Sequence, residues 1–271
     1  MKKIAALIVL ISTLLLAACG SNETAGDSKN ITFGATSGPY SDMVTKAIKP
    51  VLEEKGYTVE VVEFADYIQP NKALANGDID ANLFQHKIYM ESFAKEHKLD
   101  LSEVIVVPTA PMGIYSKKFD SLETIEDGAS IAIPNDPTNA ARAFLILEDA
   151  GLVTLNAETD PLTVSEKDVE ENVKNLKFEP IEAAQLPRAV DSVDLSAVPG
   201  NFALAAKMNL LDALVLETMP DQYRNRVVVN TEDLDADFVK DIKEAVESAD
   251  FEATIDEEFQ GFGKPEWMLN R

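Results

Sequence analysis

From Ile31 onward, short apolar runs rich in β-branched residues alternate with segments of helical periodicity. This alternation occurs twice, on either side of an extended run broken by two prolines. That pattern constrains the fold most, because strands alternating with helices build βαβ units, and two separate series build two sheets. In the first series ITFGA reads as a strand. Ser41 to Lys55 reads as a helix with Val44, Ala47, Ile48, Val51 and Leu52 on one face, closed by Gly56 and kinked by Pro50. YTVEVVEF then reads as a strand and NKALAN as a helix. Ala81 to Phe84 reads as a short buried strand emerging at a Gln85-His86 turn, and Lys87 to Lys98 as an amphipathic helix. Glu103 to Ser116, interrupted by Pro108 and Pro111, has the character of a crossing segment.

The second series begins with ASIAIPND as strand and turn. A helix from Thr138 to Ala150, stopped by Gly151, a polar stretch to Lys174, and the strands LKFEPIE and SVDLSAVPG follow. Gln222 to Asn230, containing RVVVN, reads as the return crossing, and Ala236 to Ser248 as the last helix. The expected fold is therefore α/β, with two αβ lobes built on parallel sheets, joined by two crossings, and a binding cleft between them. The expected division is 31–112 with 227–271 in one lobe and 113–226 in the other.

The N-terminus carries a separate signal. Lys2 and Lys3 precede the apolar run Ile4 to Leu16, which is short for a membrane span, and Leu16-Ala17-Ala18-Cys19 follows. The pattern resembles a bacterial lipoprotein leader, 1–18, in which Cys19 becomes the lipidated first residue. The polar segment from Gly20 to Asn30 then serves as a tether. Cys19 is the only cysteine, which excludes an intramolecular disulfide and a thiol nucleophile elsewhere. The formal charge of −23 argues against nucleic acid and anionic lipid as partners for the body of the protein; Lys2 and Lys3 would leave with the leader and deepen it.

Residues that could hold a ligand fall in three places. Tyr67, Phe84, His86 and Tyr89 put four rings beside strand ends, where open α/β sheets bind ligands, although such rings serve core packing equally well. Asn139 and Arg142 lie in the first turns of the helix after IPND. An exposed helix start and a guanidinium fork suit a carboxylate there, while a capping Asp136 and a surface ion pair explain the same residues. Asn201 follows a Pro-Gly turn, where its amide could meet both ends of an amino acid or simply cap a helix. Walker, G-x-S-x-G, H-E-x-x-H and G-x-G-x-x-G patterns are absent. The two histidines, His86 and His97, lack the spacing of a helical metal pair, so neither an enzyme, a metal nor a cofactor is expected.

Taken in order, the leader, GATSGPY, DYIQPNKAL, GDIDANLFQHKIYMESF, APMGIYSKK, IAIPNDPTNAARAFLILEDAGL, GNFALAA and FGKPEWM resemble the methionine-binding lipoproteins of the MetQ/NlpA type, over nearly the whole mature chain. The resemblance implies a periplasmic-binding-protein fold of type II character that delivers methionine to an ABC permease without covalent chemistry. It also implies a monomer held outside the cytoplasm on the membrane by Cys19. By position, Tyr67, Phe84, His86 and Tyr89 would cage the thioether, Arg142 would take the carboxylate, and Asn139 and Asn201 would orient the ligand's polar ends. Two positions depart from the family: Tyr40 and Pro108 stand where relatives often carry histidine. The same fold could instead take D-methionine, a methionine-containing dipeptide or another apolar amino acid. A surface or adhesion lipoprotein with a vestigial cleft is a further alternative.

Overall fold

The computed structural model describes residues 29–270. The leader, Cys19 and nearly all of the tether fall outside them. The first series runs β1 (Asn30–Thr36), then helix α1 in three pieces: Pro39–Met43, a π-helical stretch Val44–Ile48, and Lys49–Glu54. The π stretch is the chain's answer to Pro50. Lys49 N–H reaches back five residues to the Val44 carbonyl, which widens the turn where the proline ring would press on the preceding one. Then follow β2 (Thr58–Phe64), α2 (Gln69–Ala75), β3 (Ala81–His86), α3 (Lys87–His97) and β4 (Leu101–Val106). β3 continues through Gln85 and His86, which sequence pattern assigns to a turn. All six of its residues are buried, and His86 is itself the cap of α3, its Nδ1 accepting from Tyr89 N at 3.1 Å.

The second series comprises β5 (Gly113–Tyr115), β6 (Ser130–Pro134), α4 (Pro137–Asp149), β7 (Val153–Leu155), β8 (Val169–Asn172), β9 (Lys177–Ile181), α5 (Leu186–Ala189), β10 (Leu195–Val198), α6 (Gly200–Ala205) and β11 (Val215–Leu216). The polar stretch before Lys174 thus contains an antiparallel ribbon, β7 with β8, which its exposed Glu170 and Glu171 disguise. Next come β12 (Asn225–Asn230), α7 (Asp237–Val246) and α8 (Ala249–Glu258). α8 is a second C-terminal helix where the acidic sequence reads as tail. It is fixed by a Ser248 cap and by burial of Phe251 and Ile255.

Among the described residues there are two five-stranded sheets, ordered β2-β1-β3-β12-β4 and β11-β5-β10-β6-β9. They are mixed rather than purely parallel. β12 comes back from the second lobe and inserts antiparallel between β3 and β4, while β5 enters antiparallel to β10. Both exceptions follow from the two crossings, since a strand arriving from the other lobe has no helix to reverse it. Each sheet has its own core. Ile31, Phe33, Leu83 and Val227 pack with Val239, Ile242 and Phe251 in one; Ile131, Leu195, Phe144 and Leu147 pack in the other. At about 1.5–3 kcal/mol per fully buried aliphatic or aromatic side chain, each cluster is large enough to hold a lobe together.

Candidate ligand-binding cleft

Where the two sheets face each other, Tyr40, Tyr67, Phe84, Gln85, His86, Tyr89, Thr109, Ala110, Asn139, Arg142, Gly200, Asn201 and Asn225 line one cleft. All seven residues singled out from the sequence are among them. The reason is topological. Phe84 and His86 end β3, Tyr40 and Tyr89 sit in the first turns of α1 and α3, Asn139 and Arg142 open α4, and Asn201 opens α6. Each lies at the carboxyl end of a strand or the start of the helix after it, the edge that open α/β sheets present to ligands. Asn225 reaches the same edge because β12 is antiparallel and begins there.

The cavity left between these walls is only ≈ 10 Å³, so side chains of the two lobes stand nearly in contact. Two side-chain hydrogen bonds span the cleft between its ring wall and its amide wall. Tyr67 OH donates to Asn201 Oδ1 at 2.7 Å, and His86 Nε2 lies 3.2 Å from Asn139 Oδ1. Since His86 Nδ1 accepts from Tyr89 N, Nε2 carries the proton and donates to Asn139. Burial, followed by the charge of Arg142, drives the His86 pKa down to about 3, so its imidazole is neutral.

On the first lobe the rings form a connected group. Tyr67 lies 5.8 Å from both Phe84 and Tyr89, Phe84 lies 6.0 Å from Tyr89, and Tyr67 packs 4.9 Å from Phe202 of the other lobe. These are separations at which tilted and edge contacts are favourable. Tyr89 OH donates to the Tyr67 carbonyl at 2.9 Å, which fixes the loop carrying Tyr67. Burial holds the phenols of Tyr40, Tyr67 and Tyr89 well above their ordinary pKa, so all three stay protonated donors. Behind the rings, Asn71 and Gln85 exchange amide hydrogen bonds at 2.7 and 2.6 Å. Asn82 joins both, a fully buried network that leaves the end of β3 little freedom.

On the second lobe Asp136 caps α4 through Asn139 N at 2.9 Å and also accepts from Asn139 Nδ2. The helix start is therefore already occupied by a carboxylate and is not an open anion site. Arg142 is buried, and its Nε donates to Glu217 Oε2 at 2.6 Å while Nη2 pairs with Oε1. The pair is buried and so is not the surface ion pair that spacing alone suggests. Asn201 Nδ2 is buried without a partner, an orphan donor at the cleft wall.

Sequence reasoning passed over Glu217, Gln85, Thr109 and Asn225. Nothing local marks them, because their roles arise from long-range pairing: Asn225 donates to the Phe84 carbonyl at 2.9 Å and Glu217, just beyond β11, meets Arg142 of α4. Tyr40, one of the two departures from the family pattern, does line the cleft, and its hydroxyl accepts from Ala110 N at 3.3 Å. Pro108, the other, is buried and is not among the lining residues. His97 is exposed, its ring 4.1 Å from Phe93. Among the described residues no cluster of His, Cys, Asp or Glu could hold a metal, and no helix is long and apolar enough to cross a membrane.

Comparison with known proteins agrees with this architecture. The profile described as NlpA lipoprotein matches residues 31–267. A D-methionine-binding lipoprotein MetQ of Salmonella typhi is 36% identical over 269 residues, 98% of each chain. A methionine-binding lipoprotein MetQ of Bacillus subtilis is 34% identical over 94% of each. Among solved structures, a nutrient-binding protein from Burkholderia cenocepacia bound to methionine superposes with TM-score 0.81 at 38% identity, covering 85% of this chain and 97% of that one.

Proposed function

Because the chain belongs to the NlpA lipoprotein family, we propose that it captures methionine or a close analogue between its two lobes and delivers it to an ABC importer. The observation that carries this reading is the composition of the cleft. One wall is a group of rings without charge, the other a buried guanidinium flanked by amides, and an amino acid with an apolar polarizable side chain matches both halves. Tyr67, Phe84, His86 and Tyr89 surround the thioether; Arg142 takes the carboxylate through the guanidinium edge that Glu217 does not use. Asn139 and Asn201 orient the polar ends, and the orphan Asn201 Nδ2 gains an acceptor when a ligand is present. Asn225, turned by its bond to Phe84, offers its carbonyl to the ammonium group.

We take the lobes as 31–112 with 227–271 and as 113–226, except that Asn225 and Arg226 already lie in β12 of the first sheet, and the crossings between the sheets act as the hinge that opens and closes them. Closing excludes water from the contacts to charged ligand groups, and the protein performs no covalent chemistry. It acts as a monomer outside the cytoplasm, anchored to the membrane by lipid on Cys19. Titration calorimetry with L- and D-methionine tests the reading. Purified protein should bind at least one enantiomer with heat and a rise in melting temperature, and Arg142→Ala should abolish both. Absence of heat with both enantiomers refutes the assignment.

A further inference from the structure

Arg142 supplies the single fixed charge among the side chains that line the cleft, since His86 is neutral and Tyr40, Tyr67 and Tyr89 are protonated. Its partner does not line that cleft. Glu217 lies on the far side of the guanidinium, where a separate depression of Arg142, Ile146, Pro161, Glu217 and Tyr223 opens. The carboxylate is held there independently of Arg142. Its Oε1 accepts from Met112 N at 2.6 Å, and Glu217 N donates to the Met112 carbonyl at 3.0 Å, continuing the pairing of β5 with β11. Both charges are buried, with side chains 6% and 3% exposed. Tyr223 packs its ring 5.6 Å from the guanidinium carbon and closes another face.

Two consequences follow from this geometry. Glu217 engages the Nε and Nη2 edge, so Arg142 is left with one usable edge, the one turned toward the cleft. Glu217 also cancels the charge of Arg142 before any ligand arrives, and Asp136, bonded to Asn139 at the start of α4, does not line the cleft. A buried site of zero net charge suits a ligand of zero net charge, because an uncompensated charge in low dielectric is costly.

We propose that Glu217 is a positioning residue which aims Arg142 and, by balancing its charge, restricts the cleft to zwitterionic amino acids over N-blocked, anionic ones. This rests on the methionine-binding reading above and adds to it the reason for selecting charge class.

The test compares L-methionine, net neutral, with N-acetyl-L-methionine, net anionic, by calorimetry on wild type, Glu217→Gln and Glu217→Asp, with circular dichroism confirming folding. Wild type binds methionine and discriminates strongly against the N-acetyl form. Glu217→Gln leaves the guanidinium charge unbalanced and poorly held: methionine affinity falls about tenfold or more, while the ratio of N-acetylmethionine to methionine affinity rises about tenfold. Glu217→Asp keeps the charge but shortens the arm, so both affinities fall and the ratio stays that of wild type. If Glu217→Gln does not fold, the Asp variant decides. A ratio that shifts in Asp, or methionine affinity within twofold of wild type in either folded variant, overturns the inference while leaving methionine binding intact. Failure of the wild type to bind methionine overturns both.

Discussion

Tyr67→Phe isolates the contribution of one cross-lobe hydrogen bond. The substitution keeps the ring and its contacts to Phe84, Tyr89 and Phe202 but removes the hydroxyl that donates to Asn201 Oδ1 at 2.7 Å. In an open form water replaces that donor. In the closed form Asn201 is 5% exposed and its Nδ2 already lacks a partner, so its carbonyl would be buried unsatisfied as well. A buried unsatisfied polar group costs about 1–3 kcal/mol, and here the cost falls on the closed form alone. Affinity for methionine should therefore drop by roughly 5- to 150-fold, with thermal stability of each lobe little changed. Calorimetry measures the affinity, and small-angle scattering with and without saturating ligand measures the closed fraction. Affinity within twofold of wild type, with an unaltered scattering change, would refute the idea that this bond stabilises closure.

Three further outcomes follow from particular residues. His86 has its pKa lowered from the usual 6.5 to about 3, so the unfolded chain binds the extra proton first; stability is fully present above pH 6.5 and is lost as pH falls toward 3. Denaturant titrations from pH 6.5 to 4.5 should show wild type losing stability faster than His86→Gln, by at most about 1.4 kcal/mol per pH unit, and parallel losses would contradict this. A Cβ at Gly200 would meet the Pro111 carbonyl oxygen and lie 2.7 Å from Ala110 Cβ, so Gly200→Ala should push α6 away from the crossing segment. A destabilisation of about 1–3 kcal/mol and weaker methionine binding are expected by thermal melts and calorimetry; wild-type values in both would disprove the close approach. Cys19→Ser should move the protein from the membrane fraction to the soluble one on immunoblots, and retention in membranes would rule out the lipid anchor.

The parts of the fold legible in the sequence are those that depend on neighbours along the chain. Periodicity places β1, β2, α2, α3 and α4 within a residue or two because their buried faces recur locally. It misses the insertion of β12 between β3 and β4, since strand order is a property of partners far apart in the chain. It also misses α8, whose acidic exposed face outweighs the two buried residues, Phe251 and Ile255, that fix it. At the cleft the same division holds. Ring and amide residues beside strand ends are visible as types at positions, and all seven converge. The state of Arg142 is not, because its partner Glu217 comes from beyond α6, on a segment with no mark of its own.

The convergence has a consequence for how binding and motion relate. Tyr67, His86, Asn139 and Asn201 each have a polar group that makes or accepts a cross-lobe hydrogen bond in the closed form, and each also faces the cleft. A ligand entering that cleft must pass between the same groups that join the lobes. Its own polar atoms therefore add to or replace those bonds, and closure becomes favourable in proportion to how well the ligand satisfies them. The orphan Asn201 Nδ2 sharpens the point, since closing without an acceptor buries a donor at a cost and closing with one removes it. Recognition of the ligand's polar ends and stabilisation of the closed form are then one set of interactions, so substitutions at these four positions should alter affinity and closed fraction together, whereas Phe84, which contributes only ring surface, should alter affinity alone.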